Sequence, residues 1–218
     1  DELLILQLGM LTMKNHSREK TAYIMDKNTD MTAFFGSLPF EMTDAQKKSI
    51  SDVINDMSTD SPMNRLLQGD VGSGKTAVAA AACYFACQNG FQSALMAPTE
   101  ILAVQHYNTL KSFLEPIGVN VVLLTGSMTA KQKRIAKEAL KSGEAAVAAG
   151  THAIIQKDVE FQRLGLVITD EQHRFGVAQR AALADKGNSP HRLVMSATPI
   201  PRTLALIIYG DLDISVMK

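Results

Sequence analysis

Gly69-Asp70-Val71-Gly72-Ser73-Gly74-Lys75-Thr76 has the spacing G-x-x-x-x-G-K-[ST], which is that of a phosphate-binding loop. The glycines let the backbone curl until successive N–H groups point inward. A helix opening at the end of the loop adds the positive end of its dipole. Lys75 brings a full charge to the β and γ phosphates, and the Thr76 hydroxyl reaches a magnesium ion. Further along, the apolar run Leu166-Val167-Ile168-Thr169 ends in Asp170-Glu171-Gln172-His173. A buried strand that ends in two acids delivers their carboxylates to the carboxyl edge of a sheet, where α/β proteins bind ligands. Asp170 is expected to hold magnesium through its water shell. Glu171 is expected to orient and deprotonate an attacking water. Lys75, Asp170 and Glu171 thus form the candidate catalytic set of a magnesium-dependent nucleoside triphosphate hydrolase, with residues 69–76 binding the nucleotide and Thr76 and Asp170 holding the metal.

These groups must be positioned by strands and helices. Candidate strands are Arg65–Gln68, Ser93–Ala97, Val119–Leu124, Ala145–Ala149, Leu164–Thr169 and Arg192–Ala197. Each is a continuous apolar core rather than a strict alternation, as in strands buried on both faces of a parallel sheet. Helical patterns lie between them: the face Ile50, Val53, Ile54 and Met57, the Ala-rich run Ala77–Cys87, then Ile101–Leu114 and Ala130–Leu140. The alternation predicts a doubly wound α/β fold with a mostly parallel sheet and helices on both faces. Residues 1–35 read as a helix followed by a polar stretch, a linker ahead of a domain over 36–218.

The composition excludes several classes. Lys+Arg and Asp+Glu are both 22, giving zero formal net charge, so the chain is not a uniformly basic nucleic-acid coat. A hydrophobic fraction of 46% supports a packed core. The longest apolar run, Ala77–Cys87, is too short to span a bilayer. Cys83 and Cys87, the two cysteines, cannot build a disulfide scaffold and fit a reducing cytoplasm. Their spacing puts both on one helix face, read as a pair of buried thiols.

Asp170-Glu171-Gln172-His173 is a DExH-type box and, with the phosphate loop, resembles the superfamily 2 helicases. The longer run through Arg174-Phe175-Gly176-Val177 is similar to the RecG family of bacterial DNA helicases, with the transcription-repair coupling factors as nearest relatives. Ser196-Ala197-Thr198-Pro199-Ile200-Pro201-Arg202-Thr203-Leu204 resembles motif III of that pair of families. Leu38-Pro39-Phe40, Thr43 and Gln46 are similar to the entry to the motor, Ala97-Pro98-Thr99-Glu100 to motif Ia, Thr125-Gly126 to motif Ib, and Gly150-Thr151-His152-Ala153 to a further DNA-side motif.

The resemblance covers residues 36–218 and implies a RecA-like P-loop NTPase domain, the first motor lobe of a branched-DNA helicase that serves recombination and replication-fork repair. It also implies a second RecA-like lobe with an arginine finger and a wedge domain, neither of which lies in this sequence. The expected protein is a cytoplasmic monomer with no membrane contact.

The resemblance assigns roles residue by residue. Gln46 is placed at the adenine edge. Thr43-Asp44-Ala45-Gln46 is equally a capping box, and both roles can coexist. Phe40 is placed either on the base or in the core. Pro98, Thr99, Thr125, Gly126, Thr151 and His152 follow strand ends, where hydroxyls and N–H groups can grip DNA phosphates without reading sequence. His173, Ser196 and Thr198 are implied to couple nucleotide state to DNA grip.

Lys131, Lys133, Arg134, Lys137 and Lys141 read first as a solvated helix face, with a stripe along the duplex backbone as the alternative. Three competing readings stand beside the helicase. One is the motor of a coupling factor. Another is a binding module that takes up nucleotide or DNA without hydrolysing ATP. A third is a kinase or transporter ATPase, against which stand the Ser-Ala-Thr strand and the lack of a Leu-Ser-Gly-Gly-Gln signature.

Overall fold

The computed structural model describes residues 23–170, 189–197 and 212–217. Seven strands form one sheet: β1 Asn64–Gly69, β2 Gln92–Met96, β3 Val121–Leu124, β4 Val147–Gly150, β5 Leu164–Asp170, β6 His191–Ser196 and β7 Asp213–Met217. Their order is β3-β4-β2-β5-β6-β1-β7, and every pairing is parallel. All carboxyl ends therefore lie along one edge. The helices are α1 Thr32–Ser37, α2 Asp44–Met57, α3 Lys75–Gln88, α4 Glu100–Leu114 and α5 Ala130–Ser142. Short 3-10 turns occupy Glu115–Ile117 and His152–Ile155.

Side chains of each strand alternate between the two faces of the sheet, because successive residues point to opposite sides. Leu95, Leu166 and Ile168 enter the larger core, with Ile50 and Val53 of α2, Val78 and Phe85 of α3, and Leu110 of α4. Ala94, Met96 and Val167 enter the second, with Ala136 and Leu140 of α5. Helices thus cover both faces. Helix α3 is buried nearly all round, which fits its apolar sequence, and it packs on α2, α4 and strands β1, β2 and β5. Its Cys83 is fully buried, and burial pushes the thiol up to about 12, so it is inert packing at neutral pH.

Two elements were absent from the sequence reading, α1 and β7. The expected boundary at residue 35 falls inside α1, and the segment before it is part of this packing. Phe34 is fully buried and stacks on Tyr84 at 5.8 Å, Met25 donates its N–H to Met57 O, and Asp26 donates to Asn89 Oδ1. Residues 1–22 of the expected opening helix lie outside the described residues. Buried Arg65 ties β1 to α2 and β7, with Nε 2.6 Å from Asp56 Oδ2 and Nη1 2.8 Å from Ser215 Oγ.

His191 fastens the early segment to the sheet. Its Nδ1 accepts from Met63 N–H at 2.9 Å, which leaves Nε2–H to donate to Tyr23 O at 2.7 Å. The bond accepted from Met63 needs the neutral ring, and burial pushes the pKa below the ordinary histidine value against the opposing pull of the Tyr23 carbonyl. The folded state therefore binds fewer protons than the unfolded one. This contribution is complete above an unfolded pKa of about 6.5 and is lost as pH falls from there toward the folded value. The urea midpoint is expected to fall between pH 7.5 and 5.5, with a smaller fall in His191→Gln. An equal fall in both proteins would remove His191 as the cause.

Candidate nucleotide site and the adjoining DNA-side loops

The parallel register brings the candidate residues to one edge. Gln68 pairs with Ser196, and Met195 with Asp170, so the carboxyl ends of β1, β6 and β5 lie side by side, each offset by one residue. The phosphate loop follows β1 and opens α3. Gly72 and Gly74 take φ of +84° and +85°, a region that favours glycine, and they turn the chain back on itself with Ser73 N–H donating to Asp70 O. Val71 is 90% exposed at the tip. Lys75 folds back over the loop, its Nζ donating to Gly69 O at 2.6 Å and Asp70 O at 2.8 Å. The ammonium is thereby held over the cradle where phosphates would lie.

Gln46 buttresses this loop from α2. The capping box is complete: Gln46 N–H donates to Thr43 Oγ1, and Thr43 N–H donates to Gln46 Oε1 at 3.0 Å. The amide Nε2 donates to Ser73 O at 2.9 Å. A Cβ on Gly74 would stand 2.2 Å from that nitrogen, so a side chain there would displace the Gln46 amide, and φ favours glycine in addition. The capping expectation is met, and the amide has a second duty in holding the loop. Phe40 is 43% exposed, edge-on to Phe113 at 5.9 Å. It lines a surface groove with Leu38, Met42 and Lys47 and is not a core residue.

Asp170 ends β5 and is buried, and it does not stand alone. Its Oδ2 lies 2.7 Å from His106 Nε2, and His106 Nδ1 lies 3.4 Å from Thr76 Oγ1. The two residues expected to hold magnesium are thus joined through one imidazole. Their donor set suits the ion, a hard cation that keeps several waters and takes one or two carboxylates alongside substrate phosphates. Among the described residues no cluster of three or more His, Cys, Asp or Glu could hold a metal by itself. Ser196 is buried at the end of β6. Glu171, His173 and Thr198 lie outside the described residues.

The six expected DNA-side residues follow β2, β3 and β4, which are neighbours in the sheet. The carboxyl edge is therefore divided, with nucleotide candidates after β5, β6 and β1 and DNA candidates after β3, β4 and β2. Thr99 caps α4 by accepting from Leu102 N–H, with Pro98 half-buried before it. Gly126, Thr99 and His152 are exposed.

Thr125 and Thr151 are only 2% and 3% exposed. Their side chains lie within the loops, with Thr125 Oγ1 3.4 Å from Ser127 Oγ. A Cβ on Gly150 would stand 2.0 Å from Leu124 O, so the β3–β4 approach requires glycine there.

Two contacts that sequence reasoning missed join these loops. Glu100 Oε1 accepts from Ser127 N–H at 2.9 Å, and Lys133 Nζ donates to Gly126 O at 2.6 Å. The bond from Ser127 holds the Glu100 carboxyl below its usual range. The remaining cations of α5 are largely engaged within the protein: Arg134 with Glu138, Lys137 with Asp158 and Lys141 with Glu160. This is the ion-paired, solvated helix face rather than an open basic stripe.

Comparison with known proteins agrees with this geometry. The sequence model of the DEAD/DEAH box helicases matches residues 43–207. The chain is 52% identical, over its whole length, to the ATP-dependent DNA helicase RecG of Aquifex aeolicus (strain VF5), of which it covers 28%. It is 51% identical to that of Bacillus subtilis (strain 168), of which it covers 32%. The solved structure of RecG bound to a three-way DNA junction superposes with a TM-score of 0.81 at 44% identity, over all of this chain and 29% of that one. The chain thus spans about a third of the length of the relatives it matches. With its phosphate loop, its acid-ended strand and its seven parallel strands, the chain is a RecA-like motor lobe and belongs to the DEAD/DEAH box helicase family.

Proposed function

We propose that this lobe binds magnesium-ATP and hydrolyses it, jointly with a second RecA-like lobe, to drive a helicase or translocase along branched DNA. The observation that carries the reading is the link from Thr76 through His106 to Asp170 beside Lys75. It gathers phosphate-binding and metal-binding groups at one place on the sheet edge. Lys75 neutralises the β and γ phosphates, and the helix terminus of α3 directs its N–H groups at them. Thr76 and Asp170 hold the magnesium ion, which screens the charge on the phosphates when bound. Glu171 orients the water and takes its proton.

Gln46, whose Nε2 carries a second hydrogen beyond the one given to Ser73 O, meets the adenine edge, and Phe40 supplies an apolar face in the groove beside it. Thr99, Gly126 and His152 are the exposed groups we assign to DNA phosphates, with Glu100 and Lys133 keeping their loops in register. Ser196, with His173 and Thr198, relays loss of the γ-phosphate toward those loops.

Identity of 51–52% to RecG proteins supports a RecG-type motor over that of a coupling factor. Among the described residues no helix is long and apolar enough to cross a membrane, and a cytoplasmic setting belongs to this proposal.

The test is unwinding of a labelled three-way junction by the full-length protein. Strand release that requires both ATP and Mg2+ is the expected result. Junction binding without ATP-dependent release would overturn the motor reading and leave a binding module.

A further inference from the structure

His106 lies on α4, in the stripe Ala103, His106, Leu110 and Phe113 that α4 turns to the core, and it is 9% exposed. Most buried positions on that helix are apolar. A buried imidazole there needs partners, and it has two of specific chemistry: Asp170 Oδ2 at 2.7 Å on Nε2 and Thr76 Oγ1 at 3.4 Å on Nδ1. An ionised carboxylate only accepts, so Nε2 carries the hydrogen. In the neutral ring Nδ1 then presents a lone pair, and the Thr76 hydroxyl donates to it. The consequence is directional. Once the threonine hydrogen points at His106, the oxygen lone pairs face away from the ring, toward the cradle. Once Oδ2 of Asp170 is held by Nε2–H, its carboxylate plane is fixed. One side chain thereby sets the orientation of both oxygen groups.

We infer that His106 is a positioning residue that pre-aligns Thr76 and Asp170 for the magnesium ion of the bound nucleotide, acting behind both ligands without touching the metal. The inference rests on the reading of Thr76 and Asp170 as magnesium ligands. Outer partners of this kind fix ligand orientation, and their loss typically weakens metal binding by about 10–100-fold. The placement has a second consequence. The same helix begins at Thr99 and Glu100, the residue that holds the Ser127 loop. Its interior therefore grips the metal-binding groups while its first turn belongs to the DNA side.

The experiment is a Mg2+ titration of the binding of a fluorescent N-methylanthraniloyl-ADP to the full-length protein, with a parallel binding isotherm in EDTA. His106→Leu is expected to raise the half-saturating Mg2+ concentration at least about tenfold and to leave the EDTA affinity within twofold of wild type. His106→Gln is expected to recover most of the Mg2+ response, because its amide Nε2 can reach Asp170. Should His106→Leu fail to fold, His106→Asn serves in its place, since its shorter amide reaches toward Thr76 but not Asp170, and it is expected to show the same rise.

An unshifted Mg2+ response with intact EDTA affinity would overturn the inference. So would equal losses with and without Mg2+, which would make His106 a packing residue. A wild-type protein whose nucleotide affinity ignores Mg2+ would instead overturn the assignment of Thr76 and Asp170, and this inference with it.

Discussion

Lys75→Ala is expected to lower ATP turnover of the full-length protein by at least about 10²–10³-fold while junction binding without nucleotide stays as in wild type. The lysine stands at the helix start with Nζ donating to Gly69 O and Asp70 O at 2.6 and 2.8 Å. Those carbonyls belong to the loop itself, so the ammonium is stored over the cradle rather than drawn in from solvent. When a triphosphate enters, the same charge is within reach of its oxygens, and little reorganisation is needed as negative charge shifts during transfer.

Alanine removes that charge and leaves two loop carbonyls without these donors, so both loop geometry and phosphate affinity suffer. The loops proposed to meet DNA follow β2, β3 and β4, away from β1 across β5 and β6. They do not need Lys75 to keep their shape. Phosphate release and the anisotropy of a labelled junction separate the two effects. Turnover within a few-fold of wild type would refute the role of Lys75. Parallel loss of junction binding would refute the division of the sheet edge.

The elements that bring these candidate residues to one edge were legible in the sequence because they are written locally. A phosphate loop is a run of residues whose meaning depends on its own backbone. Strand β5 announces itself by seven residues that are all buried, and α2 by its capping box and the stripe Ile50, Val53 and Met57. Strand β7 was missed for the opposite reason. Asp213–Met217 is a short strand whose pairing among the described residues is with β1, and it is placed by that partner and by the Arg65–Ser215 contact rather than by an apolar run of its own.

The boundary at residue 35 followed the end of a polar stretch and the start of the family resemblance, whereas Phe34 and Met25 are held by tertiary packing that neither registers. His106 was hidden most completely. On its helix it falls in register with apolar neighbours, and its two partners lie 30 and 64 positions away. Only the polarity of one residue on an apolar stripe could have pointed to it, and nothing local says which groups it would meet.

The placement of His106 also sharpens what is expected of Glu171. On the proposed reading Asp170, with Oδ2 bonded to His106, serves the metal and leaves the work of the base to another group. A hydrolase still requires a base close to the γ-phosphate but distinct from the metal ligands, and the next residue in the chain is a carboxylate. Glu171→Gln keeps the size of the side chain and its capacity to hydrogen-bond, but an amide takes no proton at neutral pH. Turnover is expected to fall by about 10²–10⁴-fold, the range of a positioned general base, with the affinity for a fluorescent ATP analogue unchanged.

Asp170→Asn provides the contrast, because it weakens the charge that holds the ion and should lose Mg2+-dependent nucleotide affinity along with turnover. Single-turnover hydrolysis and equilibrium binding on the two variants separate base from ligand. If Glu171→Gln loses affinity and turnover together, as Asp170→Asn is expected to, then both acids serve the metal and the proton acceptor must be sought elsewhere. If only turnover falls, the acid pair divides its work as proposed, with Asp170 on the metal and Glu171 as the base.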